Sequence, residues 1–146
     1  MTEQLRIGRR EIRLTHPDRV LFGEAGLTKL DVAHHYERVA PRMLPYVRDR
    51  PLALQAFPDG IEHDGYFLKA VPSYFPEWIA RATVPKKGGT ITHVLAQNAA
   101  TLVYLAGQNV VTLVPTLGQT ATGQCATGAV YWDLGIRGDI YDITNA

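Results

Sequence analysis

RPLALQAFPDGIEHDGYFLKAVPSYFPEW, from Arg50 to Trp78, is the stretch of sequence that most strongly constrains the fold. It begins with a short apolar run and then meets Pro58-Asp59-Gly60, three residues typical of turns. The pattern predicts two strands of a hairpin, at about Leu52–Phe57 and Tyr66–Ala70. The second strand carries adjacent aromatic residues and a lysine. These suit a nucleic-acid surface, because bases stack on rings and ammonium groups contact phosphates.

Length and composition describe one ordinary domain. The 146 residues are 46% hydrophobic and 20% charged, which is typical of a globular protein with a buried core. Because the formal net charge is only +1, any nucleic-acid site is a local patch. The single Cys125 excludes an internal disulfide, and no apolar run indicates a membrane span or a signal peptide. We expect a cytoplasmic protein with no membrane partner.

The rest of the chain mixes helical and strand patterns and predicts an α+β fold in one domain. Thr28 suits the N-cap of a helix at about Lys29–Ala40, which Pro41 should end or kink, with a further turn or two expected over Arg42–Arg48. A second helix is predicted at Ala99–Ala106, with Gly107 closing it. The pattern from Pro115 to Gly128 predicts a loop, and further strands are predicted at Glu11–Leu14, Arg81–Pro85, Thr90–Leu95, Val110–Leu113 and Val130–Leu134.

Several segments, in order, resemble the polymerase domain of the bacterial end-joining ligase D, a member of the archaeo-eukaryotic primase superfamily. The similarity is nearly collinear over about residues 12 to 113, whereas the tail from 114 to 146 diverges. The segments that carry it are Leu14–Phe22 (LTHPDRVLF), Gly26–Lys29 (GLTK), His35–Pro41 (HYERVAP), Arg50-Pro51 with Pro58-Asp59-Gly60, Gly65–Lys69 (GYFLK), Phe75–Trp78 (FPEW) and Ala99–Ala106 (AATLVYLA).

The resemblance implies an antiparallel sheet flanked by helices. It also implies nucleotide addition, often of ribonucleotides, at broken DNA ends during non-homologous end joining, with Mn²⁺ or Mg²⁺ as cofactor. The implied partners are duplex DNA ends with a 5′-phosphate, together with end-joining proteins. Because the family domain is longer, we expect residues 1–146 to form a single, incomplete domain that corresponds to its N-terminal half.

By the same resemblance, Arg19 and Lys29 form a pocket for the 5′-phosphate of a DNA end. A terminal phosphate carries nearly two negative charges, and a guanidinium can bind it in a bidentate manner. The alternative is that both are solvated surface residues, as isolated basic side chains usually are.

Tyr66 and Phe67 occupy positions at which the family stacks aromatic rings on a DNA base. Since adjacent strand residues point to opposite faces, we expect Phe67 to contact DNA and Tyr66 to pack inside. The alternative is that both are ordinary sheet residues. Lys69, Lys86 and Lys87 are expected to contact the DNA backbone, or else to be surface lysines.

Positions that carry catalysis in the family are altered here. Gln55 stands where the family has a lysine and Val114 where it has a histidine, and neither side chain can neutralise a phosphate. The metal motif Asp-x-Asp falls on Asp133-Leu134-Gly135, which retains one carboxylate of two. Because Mg²⁺ prefers several hard oxygen ligands, Asp133 alone remains as a candidate catalytic and metal-binding residue, and no tightly bound metal is expected.

The sequence therefore favours DNA-end binding without polymerase activity from this chain alone. Two alternatives stay open. One is an active nucleotidyltransferase completed by a partner chain. The other is a non-enzymatic protein-interaction module or a gene remnant, in which half a sheet would leave an exposed edge.

Overall fold

The structure, a computed structural model, describes residues 2–115, 130–133 and 140–142. Its elements, in chain order, are β1 (Thr2–Ile7), β2 (Arg10–Thr15), β3 (Val20–Phe22), β4 (Leu27–Thr28), α1 (Lys29–Val47), β5 (Leu52–Ala56), β6 (Tyr66–Leu68), β7 (Arg81–Lys86), β8 (Gly89–Val94), α2 (Ala99–Gly107), β9 (Val110–Pro115), β10 (Val130–Asp133) and β11 (Ile140–Asp142). Within these ranges, no helix is both long and apolar enough to cross a membrane.

One antiparallel sheet dominates the fold. Its strand order is β11-β10-β9-β5-β8-β7, and the short strand β6 pairs with β5 on the edge opposite β9. Two separate hairpins, β1–β2 and β3–β4, complete the strand content of the described residues. The predicted α+β class with an antiparallel sheet and flanking helices is confirmed.

The two faces of the main sheet differ in burial, and strand β5 shows the difference most clearly. Leu52, Leu54 and Ala56 are buried, whereas the alternate residues Ala53 and Gln55 are only half-buried. Alternate strand residues point to opposite faces, so one face packs against the helices and the other remains partly open. We call these the helix face and the open face.

Helices α1 and α2 pack against each other and cover the helix face. The α1 side chain of Tyr36 is fully buried, and its hydroxyl lies 3.3 Å from the Val110 carbonyl and 3.2 Å from the Val111 carbonyl. A buried phenol needs such a partner. This contact ties α1 to β9, and so fixes the helix layer against the sheet.

Helix α1 begins as predicted but ends later. Thr28 and Asp31 form a capping box in which each side chain accepts a hydrogen bond from the other residue's backbone N–H. Helix α1 passes through Pro41 and runs to Val47, so it does not end at Ala40, and the further turns expected over Arg42–Arg48 belong to the same helix. Its second half is held by buried apolar residues, and packing outweighs the lost hydrogen bonds.

Helix α2 is capped by Asn98, whose Oδ1 accepts a hydrogen bond from the Thr101 backbone N–H at 2.9 Å. Gly107 does not close the helix as expected but forms its last residue. The left-handed residue that follows is Asn109, with φ of 65°. Asparagine tolerates that conformation better than other non-glycine residues, so it replaces glycine in this role.

Several predicted strands need correction at their boundaries. The second strand of the Arg50–Trp78 hairpin is β6, which ends at Leu68 rather than Ala70. Strands β1, β3, β4 and β11 were not predicted, because they are short or mostly exposed and lack a clear alternation. Of the predicted loop, Pro115 belongs to β9, and residues 116–128 lie outside the described residues, as do Leu134 and Gly135.

Candidate nucleic-acid interface

The structure brings Arg19 and Lys29 together at the start of α1. The Lys29 backbone N–H donates to the Arg19 carbonyl at 2.8 Å, and the Lys29 ammonium donates to the Thr15 carbonyl at 2.8 Å. The Arg19 guanidinium in turn donates to the Pro58 carbonyl at 2.9 Å. These bonds connect the β2–β3 segment, the helix start and the Pro58-Asp59-Gly60 turn.

Lys29 is not a solvated surface residue, because only 3% of it is exposed. Burial, and to a lesser extent the nearby charge of Arg19, lowers the pKa of the Lys29 ammonium from its ordinary value of 10.5. Neither cation forms a salt bridge with any residue that the structure describes. Two neighbouring positive charges, one of them buried, are therefore left without an anion, which is electrostatically costly.

An open cavity of about 570 Å³ lies beside Arg19. Pro58, Asp59 and His63 also contribute to its walls, whereas Lys29 is not part of its lining. The turn that forms one wall is held by the Ile61 backbone N–H, which donates to the Leu21 carbonyl at 2.9 Å. The cavity is large enough for a phosphate group, and its wall carries a guanidinium suited to bind one.

The two aromatic residues of β6 lie on opposite faces of the sheet. Phe67 pairs with the half-buried Gln55 and therefore belongs to the open face, whereas Tyr66 pairs with the buried Ala56 on the helix face. The expectation that Tyr66 packs inside is wrong, because it is 46% exposed while Phe67 is 58% exposed. Tyr66 stays exposed because β6 lies at the edge of the sheet, beyond the cover of the helices.

The open face also carries the positions at which catalytic residues were expected. Across β6, β5, β9 and β10, the register aligns Phe67 with Gln55, Gln55 with Thr112, and Thr112 with Asp133. Val114 lies two residues along β9 from Thr112 and is half-buried like it.

The residues on this face do not fit the two-ion site that the resemblance implies. In the aligned row, Asp133 is the one carboxylate-bearing residue, and its neighbours are an amide, a hydroxyl and a phenyl ring. In the part of the chain that the structure describes, no three His, Cys, Asp or Glu residues are grouped in a way that could hold a metal. A two-metal site needs carboxylates on both ions.

The predicted backbone-contacting lysines lie on two separate elements. Lys69 follows β6 and is exposed. Strands β7 and β8 form the predicted hairpin, and Lys86 pairs with Gly89 across a tip that contains the exposed Lys87. Gly88 has φ of 85° there, a conformation that suits glycine in a tight turn.

A cluster of aromatic residues on the helix face was not predicted. Tyr74 is 63% exposed and meets Phe75 edge to face, with ring centroids 5.3 Å apart. Tyr104 of α2 contacts both Phe75, at 5.1 Å, and Trp78, at 5.9 Å. The Arg10 guanidinium lies 4.4 Å from the centre of the Trp78 ring. A run of aromatics in SYFPEW was the available signal, but sequence alone does not separate core rings from exposed ones.

A model of the LigD primase-polymerase domain matches residues 28–134 of the chain. The chain belongs to this family. It is 35% identical over 82 residues to the multifunctional non-homologous end joining protein LigD of Mycolicibacterium smegmatis, a match that covers 56% of this chain and 11% of that protein. It is 34% identical over 88 residues to the LigD of Mycobacterium bovis, covering 60% of this chain and 12% of that protein.

A solved structure supports the same assignment to the LigD family. The polymerase domain of Mycobacterium tuberculosis ligase D, in complex with DNA, is similar with a TM-score of 0.69 and 29% identity. The match covers 77% of this chain and 40% of that one. This chain therefore matches only a small part of the length of its full LigD relatives, and less than half of the solved polymerase domain.

Proposed function

We propose that this chain binds DNA ends in non-homologous end joining, by holding a 5′-phosphate near Arg19 and Lys29 and stacking a base on Phe67. The observation that carries the proposal is a pair of neighbouring cations, Arg19 and Lys29, that form no salt bridge with any described residue. Binding a phosphate would relieve both the repulsion between the two charges and the desolvation of Lys29. The DNA in the solved polymerase-domain relative supports the choice of ligand.

The two cations would act differently on the phosphate. Arg19 lines the cavity and offers a planar fork of donors, so it suits direct contact with phosphate oxygens. Lys29 uses one of its three ammonium donors on the Thr15 carbonyl. Its charge, buried and close to Arg19, would strengthen the attraction of the site for a dianion.

The test compares two versions of a duplex with a recessed 5′ end, one carrying a 5′-phosphate and the other a 5′-hydroxyl. Fluorescence anisotropy should show tighter binding of the phosphorylated end by the wild-type chain. Arg19→Gln should reduce this preference, whereas Arg6→Gln is the matched control. Arg6 forms an exposed ion pair with Glu11 at 3.7 Å, so its loss changes net charge equally and costs little stability. Equal affinity of the wild-type chain for both ends would refute the proposal.

We also propose that this chain does not add nucleotides by itself. The resemblance implies metal-assisted nucleotide transfer, but the open face has Gln55 and Val114 at two expected catalytic positions and one aspartate in the aligned row. Primer extension with Mn²⁺ and ribonucleotides should therefore give no product from this chain alone. Incorporation that survives Asp133→Asn would point to contamination, whereas incorporation abolished by Asp133→Asn would overturn the proposal.

A further inference from the structure

We propose that a groove between α1 and the β3–β4 hairpin docks a segment of a partner protein that carries a bulky apolar side chain next to carboxylates. The groove has a volume of about 610 Å³, and its walls include Phe22, Leu27, Val32, His35 and Arg38. We call it the α1 groove. None of these five residues lines the cavity beside Arg19, and none belongs to a strand of the main sheet. The proposal therefore does not depend on DNA-end binding.

The apolar part of the α1 groove is preformed but not covered. Phe22 and Leu27 are cross-strand partners in the β3–β4 hairpin, and β4 leads directly into α1. Phe22 and the α1 residue Val32 are buried, whereas Leu27 remains 42% exposed. An apolar side chain that enters the groove would cover Leu27 without first having to rearrange the hairpin. This part of the groove suits the anchor residue of a peptide.

Arg38 supplies a positive charge that the described residues do not neutralise. It is exposed and forms no salt bridge with any of them. The two carboxylates in the groove lining already have partners: Asp31 accepts a hydrogen bond from the Thr28 backbone N–H at 2.9 Å, and Glu37 lies 3.8 Å from His34 Nδ1. A carboxylate of the ligand would therefore be attracted to Arg38.

His35 adds a polar group of a different kind to the same groove. Burial, and secondarily the nearby charge of Arg38, lowers the pKa of the His35 imidazole from its ordinary value of 6.5. At neutral pH this imidazole is therefore uncharged, and it can donate one hydrogen bond and accept another. The groove thus combines an apolar wall, one cation and a neutral hydrogen-bonding ring.

The positive charge continues along α1 beyond the groove. Arg42 and Tyr46 follow Arg38 at intervals of four residues, which places the three side chains on one side of the helix. All three are exposed, and Arg42 forms no salt bridge with a described residue. Pro41 and Pro45 are exposed too and add apolar surface to this side. Arg38 and Tyr46 are about 12 Å apart along the axis, so a short peptide can span them.

This composition favours an acidic protein segment over nucleic acid. A DNA backbone would contact Arg38 and Arg42 but leave the apolar wall uncovered. Phe22, the aromatic residue of the groove, is only 9% exposed and offers little ring surface for base stacking. A peptide with one bulky apolar residue between carboxylates would fill the groove and neutralise both arginines.

The test begins with a random library of peptides of about 12 residues, displayed on phage and selected on the full chain. Selected peptides should carry Asp or Glu beside a bulky apolar residue. They are then synthesised with a fluorescent label and titrated by anisotropy. Leu27→Ser should weaken their binding by about 3- to 10-fold, because burial of the exposed part of one leucine contributes about that much. Arg38→Gln should weaken it by about 2- to 5-fold and reduce its salt dependence, as for an exposed ion pair.

The control variant is Arg13→Gln, which removes an exposed arginine of β2 that also forms no salt bridge with a described residue. It should bind the selected peptides like the wild type. Because Leu27 and Arg38 are exposed, urea titrations should show that their variants remain folded. Selected peptides that bind Leu27→Ser and Arg38→Gln as tightly as the wild type would overturn the proposal. Selection of peptides without acidic residues would do so as well.

Two further measurements identify other occupants of the α1 groove. A duplex or single-stranded oligonucleotide that displaces the selected peptides, and binds Arg38→Gln more weakly than the wild type, would assign the surface to nucleic acid. Self-association of the wild-type chain in analytical ultracentrifugation, abolished by Leu27→Ser, would assign the groove to a second copy of this chain. Either result would replace the acidic partner segment. Peptide binding by a monomeric chain without displacement by DNA is the result that we expect.

Discussion

Replacing Lys29 with methionine should separate DNA-end binding from folding. Methionine keeps an unbranched apolar side chain and removes the ammonium group. That group lies 2.8 Å from the Thr15 carbonyl and has no carboxylate partner among the described residues. The substitution therefore deletes a buried charge without leaving an opposite charge unpaired.

The expected loss of affinity follows from the Coulomb attraction between the Lys29 ammonium and the phosphate. Two unit charges about 4 Å apart attract by about 1 kcal/mol in water and about 4 kcal/mol near a protein surface, so affinity for a 5′-phosphorylated end should fall by about 5- to 1,000-fold. Binding should also become less sensitive to salt, with the slope of log K against log salt reduced in magnitude by about 1. Affinity for the 5′-hydroxyl end should change much less.

The expected change in stability is small or favourable. The Thr15 carbonyl loses one donor, at a cost of about 1 kcal/mol that water can partly offset because Thr15 is exposed. The gain is removal of a desolvated ammonium and of its repulsion with Arg19. At neutral pH the free energy of unfolding should therefore stay within about 1 kcal/mol of the wild type, or rise.

The pH dependence of the free energy of unfolding tests the buried charge of Lys29 independently of DNA binding. The folded-state pKa of Lys29 lies below 10.5, so the unfolded chain binds more protons between the lowered value and 10.5. Stability of the wild type should accordingly rise with pH through that window, as the buried lysine loses its charge. Lys29→Met has no ammonium group and should lack this rise in stability. Subtracting the free energy of unfolding of the variant from that of the wild type at each pH removes the contributions of the other titrating groups.

Urea denaturation at a series of pH values and anisotropy with the two DNA ends measure these quantities. Arg6→Gln serves again as the charge-matched control. A drop in stability of about 3–5 kcal/mol, as when a buried ion pair is broken, would show that Lys29 has an anionic partner and is structural. Retention of the full 5′-phosphate preference would show that Lys29 does not act on the phosphate.

Three further substitutions test the fold around the interface. Tyr36→Phe should lower the free energy of unfolding by about 1 kcal/mol in urea titrations, because the Val111 carbonyl loses a donor at 3.2 Å; an unchanged midpoint would contradict that bond. Gly65→Ala should lower the free energy of unfolding by about 1–3 kcal/mol in the same titrations and weaken DNA binding, because the added Cβ would lie 2.6 Å from the Ala56 carbonyl oxygen and displace β6. A variant with wild-type stability and affinity would disprove this close approach. Tyr104→Phe should lose less free energy of unfolding than the wild type between pH 10 and about 12, because burial raises the pKa of the folded Tyr104 phenol from 10.0 to about 12. Identical alkaline melting curves for the two proteins would contradict the burial of this phenol.

Sequence patterns predicted the elements whose local signals agreed with their packing. The Thr28 cap, the strand over Leu52–Phe57 and the hairpin with the lysine tip all appear nearly where expected. The continuity of α1 through Pro41 was not predicted, because Pro41 opposes the helix locally while distant residues bury its second half. Such tertiary effects are absent from a local reading of the sequence.

The candidate site was predicted unevenly for a similar reason. Arg19 and Lys29 were selected through the resemblance, and the structure adds that Lys29 is buried, which no composition or spacing indicates. The burial of Tyr66 was predicted wrongly, because strand alternation indicates the face to which a side chain points but not whether other elements pack against it there. Tyr74 was missed because exposure of an aromatic residue depends on which neighbours arrive from elsewhere in the chain.

The aligned row on the open face sets a length scale for DNA. Phe67 and Asp133 are separated by three strand spacings, or about 14 Å. Stacked bases repeat every 3.4 Å or so, and about four of them fit that span. Under the proposed stacking of a base on Phe67, a DNA strand that crossed the sheet would need about four nucleotides to pass β10. An overhang shorter than this would end over β5 or β9, at Gln55 or Thr112.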